Sequence, residues 1–458
     1  MSAISANSAN SNRLDWTAHP GRALLRLAWP ITISMVSFSA MTLASTAFVA
    51  RIGADELAGV GLAGVVGFAL VCFGIGVMRA TKTLFSQAVG ASRRDRLPTL
   101  LGTSLALALG LGVVAAVAGE LLAPALAQLS SSARAGAFAS QYLAIRALGA
   151  PIVLVYAALR ESRYGVGDSR APMVASLAGN AVNIALDAVL ILVLHFGVRG
   201  AAIATLCGSA TELTVLALQI PRGTLSRARL SRSALADLWR QGVPNGLQFV
   251  MEVGAFLILT VLVARMGALD GAAHQMVIHL VNVSFLPAHA LAEAAAVLVG
   301  QAVGANRDAL IAGVARRAFA LGACYAAVCL VGYAVLGHAI VTGLAAGDAA
   351  LAARASSLLH VGMAFLVADA ANVIARGVLR GASDVRYAAA IGIATSWLTT
   401  PPLAWLFGLH LGLGAVGGWI GLAIEITLGA ALFWLRVVRG GWRSSAAAAR
   451  RSMHGAAV

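Results

Sequence analysis

Charge is what this sequence has least of. Only 11% of its 458 residues are Asp, Glu, Lys or Arg, where a soluble chain carries about 25%. With 60% hydrophobic residues, there is too little polar surface to clothe a soluble domain, and a polytopic helical membrane protein is expected. Acid is scarcer than base, 18 residues against 33, giving a net charge of +15. The arginines fall in short loops between apolar runs, where they set topology. No basic patch interleaved with aromatics is present, so nucleic acid is not an expected partner. Cysteine is also sparse: Cys72, Cys207, Cys324 and Cys329 all lie in apolar runs without metal-ligand or CxxC spacing. Buried thiols are expected there, and no disulfides. His274 and His279 stand five apart and do not share a helical face. There is no HExxH, Walker A or GxSxG sequence, so no enzyme and no cofactor are expected. Gly59, Gly61 and Gly64 match GxGxxG. They follow no strand and sit in no βαβ unit, so close helix packing through small residues explains them better than a dinucleotide.

What is present is a series of long apolar runs. Spans are expected near 24–49, 57–78, 98–122, 141–160, 172–196 and 198–220, then 243–264, 271–299, 310–337, 356–378, 387–409 and 414–436. The expected organisation is a disordered polar tail (1–20), a first lobe (21–220), a basic linker (221–241), a second lobe (242–437) and a basic tail (438–458). Alternate loops are rich in arginine (Arg93, Arg94 and Arg96; Arg160, Arg163 and Arg170; Arg222, Arg227 and Arg229; Arg380 and Arg386) and the others carry scattered single ones. Positive-inside bias therefore puts both termini in the cytoplasm. The first apolar run is too long for a signal-peptide core and is expected to stay as a helix.

The two halves echo each other. Pro30 and Pro244 stand 214 residues apart (244 − 30). VARIG at Val49–Gly53 recurs as VARMG at Val263–Gly267, and SQAVGAS at Ser86–Ser92 as GQAVGAN at Gly300–Asn306, at the same offset. GDSR ending at Arg170 pairs with SDVR ending at Arg386. This order argues for duplication of a six-helix unit in parallel orientation, with substrate sites near the midplane.

Within the spans a few polar residues stand out. Asn180, Asn183 and Asp187 fall on one helical face. A mid-bilayer charge costs roughly 2.5–3.5 kcal/mol, so Asp187 needs a partner, a proton, an ion or a watery cavity. Asp369 shares a face with Asn372 and Arg376. Glu252 lies two turns beyond Pro244, while Glu212, Glu293 and Glu425 complete the set. For these acids the plain reading is a structural carboxylate. Glu212 and Glu425 would then pair with Arg146 or a helix-end arginine, and Arg146 itself reads first as an internal ion-pair partner. Pro30 and Pro244 are hinge candidates or simple helix-start prolines.

Several segments together resemble the multidrug and toxic compound extrusion (MATE) family. They are LAWP at Leu27–Pro30, SQAVGA, YLAIRALGAP at Tyr142–Pro151, GDSRAPM at Gly167–Met173 and NIALD at Asn183–Asp187. The second half adds AAHQ at Ala272–Gln275, VGQAVGA at Val299–Ala305 and LRGASD at Leu379–Asp384. VMRATKTLFSQ resembles the DinF-like branch, and Glu252 the NorM-like one. The resemblance implies an all-α membrane protein, twelve transmembrane helices in two parallel six-helix repeats around a V-shaped central cavity. It implies export of cationic organic compounds in exchange for Na+ or H+ across a bacterial inner membrane. A lipid-linked precursor flippase of the wider superfamily is the alternative, favoured by a basic cavity rather than an acidic one. The implied first-lobe cation site is Asp187, Asn183 and Thr205, with Asn180 beside it on the same face. Ser45 takes the place of the family's usual first-helix aspartate. Glu252 and Asp369, with Asn372, match a second-lobe cation or substrate site. Partners are small cationic substrates and membrane lipids, and the expected state is a monomer.

Overall fold

The computed structural model describes residues 14–130, 132–220 and 228–455. The first repeat holds α1 (Pro20–Ala50), α2 (Ala54–Gly90), α3 (Leu97–Leu129), α4 (Ala133–Ala147), α5 (Ala150–Gly165), α6 (Arg170–Asp187) and α7 (Gly197–Leu218). The second holds α8 (Arg232–Arg265), α9 (Ala268–Gly304), α10 (Ala309–Leu344), α11 (Ala349–Gly381), α12 (Val385–Leu398), α13 (Thr400–Leu403) and α14 (Ala415–Val438), followed by α15 (Arg443–Gly455). Among the described residues ten helices are long and apolar enough to cross a membrane. The pair α4 and α5, bent by 49°, makes an eleventh. The twelfth span is Val385–His410, helical in consecutive pieces but interrupted at Thr399 ahead of Pro401 and Pro402. Large apolar side chains such as Leu43, Leu121, Leu218, Val335 and Val438 stand exposed. Lipid, not water, suits such a surface.

Several helices outrun the sequence expectation. The second span, expected over 57–78, continues to Gly90, and its last turns are buried from Ala80 to Ala88. The fourth, expected as one helix over 141–160, is two. Leu148 and Gly149 interrupt it ahead of Pro151, which has no N–H to continue the ladder. Ser132 starts α4, its hydroxyl accepting from Ala135 N at 3.3 Å and donating to Asp55 at 2.9 Å. The expected tail 1–20 falls outside the described residues up to 13; Asp15–Thr17 form one 3₁₀ turn, and Trp16 donates to Gln301 Oε1 at 2.7 Å. Arg222 and Arg227 of the expected linker also lie outside the described residues. The remainder of that linker is mostly α8, because Ala234 and Leu238 pack into the core with Ala80, Leu84 and Leu216. The expected basic tail is largely α15. It buries Ala446, Ala449 and Met453 and ties Arg450 to Asp308 at 2.7 Å and Ser445 to Asp384 at 2.9 Å.

The chain forms two compact units. One comprises Pro30–Ala88 and Arg93–Gly246; the other comprises Leu247–Val458, Val89–Ser92 and the residues before Pro30. Two of the boundaries therefore fall inside α1 and α8, at Pro30 and just past Pro244, and the other two bracket Val89–Ser92 at the end of α2.

The duplication is written in the backbone. α2 and α9 have 37 residues each and begin 214 apart (268 − 54). Positive φ at Ser92 is repeated at Asn306, at Gly167 by Ser383, and at His195 and Gly197 by Gly412 and Gly414. Both repeats widen into a π-helical stretch at the same place, Ala188–Val193 after α6 and Ala404–His410 after α13. At one interface the repeats differ in chemistry. In the second, a Cβ on Gly377 or Gly381 would lie 2.4 or 2.5 Å from the carbonyl oxygens of Ala292 and Ala296, so α11 and α9 touch backbone to backbone. In the first, the positions matching Ala296 and Gly377 are Lys82 and Glu161, a buried ion pair at 3.5 Å. Gly165, the match of Gly381, still lies against Lys82 O.

Candidate functional site

In the first-repeat unit, α6 delivers Asn183 and Asp187 to one place, one turn apart, just before the helix widens. Asp187 is wholly buried. Ser45 of α1 donates to Asp187 Oδ2. Asn183 completes the arrangement in the amide orientation that satisfies every neighbour. Its nitrogen donates to Asp187 Oδ2 at 3.0 Å, and its oxygen accepts from Thr205 N at 3.1 Å and Thr205 Oγ1 at 3.3 Å. Gly208 of α7 makes room, since a Cβ there would lie 3.0 Å from Asn183 Cβ. Asp187 Oδ1 has no hydrogen-bond partner among the described residues. A buried carboxylate with one oxygen engaged and the other bare has a strong demand for a proton or a small cation. Around it stand the carboxylate, an amide and two hydroxyls, oxygen-bearing groups of the kind that suit a hard ion.

Four of the five sequence candidates thus converge: Asp187, Asn183, Ser45 and Thr205. Asn180 does not join them. Its nitrogen donates to Ser37 Oγ at 2.8 Å and Ser176 Oγ at 3.4 Å. Asn180 shares their face but lies about 10 Å along α6 from Asp187, level with an earlier part of α1 at Ser37.

In the second-repeat unit, Glu252 and Asn372 are joined through Arg376. Arg376 Nη1 donates to Glu252 Oε1 at 2.6 Å and Nη2 to Asn372 Oδ1 at 2.6 Å. Asn372 Nδ2 donates to Ile426 O at 3.0 Å. Gln248 Nε2 also donates to Glu252 Oε1, at 2.8 Å, and Arg380 Nη2 to Gln248 Oε1 at 3.2 Å. Gly392 of α12 leaves the space this needs: a Cβ there would lie 2.4 Å from Gln248 Nε2. Asp369 stands apart from the hydrogen-bonded set, with Arg376 and Glu425 as its charged neighbours. Glu252 is thus paired with an arginine of α11, the arrangement that the plain reading of these acids as structural carboxylates expects. Arg376, Gln248 and Arg380 were not among the site candidates. The available signal was spacing: Gln248 and Glu252, and Asn372, Arg376 and Arg380, recur at i, i+4.

The remaining acids of the spans have partners of other kinds. Glu425 accepts from Thr400 Oγ1 at 2.5 Å rather than pairing with an arginine. Glu212 is hydrogen-bonded to Ser176 and lies over Gly179, with Arg160 as its charged neighbour. Glu293 has His289 at 3.6 Å. Arg146 makes no ion pair among the described residues, and its Nη1 is buried without a partner. Only Cys72 of the four cysteines is buried, and Cys324 is exposed, because α10 turns that face outward. His274 accepts from Trp419 Nε1 at 3.0 Å and faces Thr260 Oγ1 at 3.3 Å, a packed neutral imidazole. Of the GxGxxG glycines, only Gly59 sits at a close approach, where a Cβ would be 2.7 Å from Ala135 O; Gly61 and Gly64 face open space.

The site acids Asp187, Glu252 and Asp369 occupy non-equivalent positions in the two units. The second-repeat match of Asp187 is Leu403, and the first-repeat matches of Glu252 and Asp369 are Phe38 and Val153. Duplication supplied one scaffold, and the two copies carry different chemistry.

Comparison with known proteins agrees with this architecture. The MatE family model matches residues 30–189 and again 244–406, one match per repeat. The chain is 34% identical over 435 residues to a probable multidrug resistance protein NorM of Bradyrhizobium diazoefficiens, covering 90% of this chain and 92% of that one. It is 33% identical over 432 residues to the protein of the same name in Pseudomonas putida, covering 89% and 92%. Its fold matches that of a MOP superfamily transporter from Pyrococcus furiosus with a TM-score of 0.86 at 22% identity, over 94% of this chain and 97% of that one. Two copies of one six-helix unit, each matched by the same model, make this chain a member of the MatE family.

Proposed function

We propose that this protein is a secondary-active antiporter that exports cationic organic compounds in exchange for Na+ or H+ entering the cell. The observation that carries the reading is Asp187, wholly buried, with one oxygen lacking any partner among the described residues. The relatives' name, multidrug resistance protein, supports the substrate class. In this reading Asp187 takes the coupling charge. As H+, it adds to Oδ1 and leaves the Ser45 and Asn183 bonds in place. As Na+, it draws on Asp187, and Asn183 turns its amide to present oxygen instead of nitrogen. Either event shifts the balance between conformations only through its different affinity for them. Glu252, Asn372 and Asp369 form the substrate end. Pro30 and Pro244, both inside long helices at the unit boundaries, are the positions where those helices flex.

The setting we propose is a bacterial inner membrane with both termini cytoplasmic, the protein acting as a monomer. The flippase alternative called for a basic cavity, whereas the second unit presents Glu252, Asp369 and Glu425 beside Arg376 and Arg380. Asp187→Asn is expected to abolish efflux of a cationic dye from cells while insertion and expression stay normal. Efflux at the wild-type rate in that variant would refute the assignment.

A further inference from the structure

Glu252 is held in a particular way. The Arg376 guanidinium lies between its carboxylate at 2.6 Å and the amide oxygen of Asn372 at 2.6 Å, with the guanidinium carbon 5.6 Å from the centre of the Phe433 ring. A carboxylate, an amide oxygen and an aromatic face around one planar cation are what a receptor for an organic cation requires. Here the protein's own side chain sits in it. The pair is not sealed by protein: the Glu252 and Arg376 side chains are 25% and 19% exposed. Arg376 Nε has no hydrogen-bond partner among the described residues, so the guanidinium is held at one edge only. It also has somewhere else to go. Asp369, two turns back on α11, and Glu425 are both within its electrostatic reach. The first-repeat match of Arg376 is Arg160, which bonds its neighbour Glu161 at 3.0 Å and has Phe38 where Glu252 would stand. The self-occupied receptor therefore belongs to the second unit alone.

We propose that Arg376 is a tethered competitor of the substrate. Its guanidinium fills the receptor of Glu252, Asn372 and Phe433 until an organic cation displaces it towards Asp369 and Glu425, and so it sets the affinity threshold for transported cations. The proposal rests on the reading of Glu252 as a substrate-binding carboxylate, and the experiment separates the two. Full-length protein is purified in detergent, and tetraphenylphosphonium binding is measured by equilibrium dialysis at fixed pH without gradients. If the receptor is free in about a tenth of the molecules, Arg376→Gln tightens binding about tenfold. A structural ion pair gives the opposite sign, since its loss loosens the site. Arg376→Lys keeps the charge but loses the planar fork, and is expected to tighten binding by a smaller factor even where Arg376→Gln fails to fold. Glu252→Gln weakens binding. Weaker binding in Glu252→Gln without tightening in either Arg376 variant overturns the tethered competitor alone. Unchanged binding in Glu252→Gln overturns the substrate reading of Glu252 and the proposal with it.

Discussion

Asp187 shows how one side chain becomes useful in a membrane. Its two donors, Ser45 and Asn183, both serve Oδ2, and Oδ1 is left bare. Each neutral hydrogen bond of this kind contributes about 1 kcal/mol. Ser45→Ala should therefore leave transport intact but shift the coupling-ion concentration for half-maximal efflux about fivefold, read in vesicles at varied Na+ and pH. No shift under either ion would place Ser45 outside the coupling site. The glycines give a second test. Gly59→Val collides with Ala135 O and should cost roughly 1–3 kcal/mol of stability. A Cβ on Gly61 or Gly64 meets nothing within 4 Å, so Gly61→Val and Gly64→Val should cost far less. Thermal unfolding of solubilised protein followed by fluorescence size exclusion compares the three. Equal losses would mean the motif acts as a unit after all.

At the scale of helices, the contact of the second helix with the fourth is solved twice. α9 and α11 meet through Ala292, Ala296, Gly377 and Gly381. In the first repeat the Lys82 and Glu161 pair replaces the Ala296 and Gly377 contact. A buried ion pair broken on one side costs about 3–5 kcal/mol, whereas replacing both partners is often neutral. Lys82→Ala should thus destabilise strongly. The double change Lys82→Ala with Glu161→Gly removes both partners but also takes Glu161 from Arg160, which bonds it at 3.0 Å, so it should recover only part of the loss. A double variant no more stable than Lys82→Ala would show that the pair does something the small residues cannot. The same duplication explains why both π-helical stretches survive: a π turn inserted in one ancestral unit appears in each copy.

At the scale of the molecule, the two units share backbone and divide the chemistry. The first keeps an acid with an open oxygen, and the second keeps acids balanced by arginines. On the reading proposed for Asp187, transport needs a gradient of the ion which that carboxylate takes up. In proteoliposomes, either an inward Na+ gradient alone or an inward H+ gradient alone should drive dye efflux, and Asp187→Asn should abolish the response to whichever works. Efflux driven by neither gradient would overturn antiport.

The sequence by itself determined the class, the number of spans and the internal repeat, and it set Asn183 and Asp187 on one helical face. Hydropathy, arginine placement and helical periodicity are local properties, and the partners Asn183 and Asp187 sit on one helix. The break at Gly149, the helical nature of the linker and tail, and the fate of Asn180 needed packing. Those outcomes depend on which face meets a neighbour, as when Ala234 and Leu238 draw α8 back into the linker. Only tertiary structure decided that Glu252 is held by Arg376, a residue 124 positions away. Buried charges choose partners by distance in space, and a one-dimensional string records the charges without recording who stands next to whom.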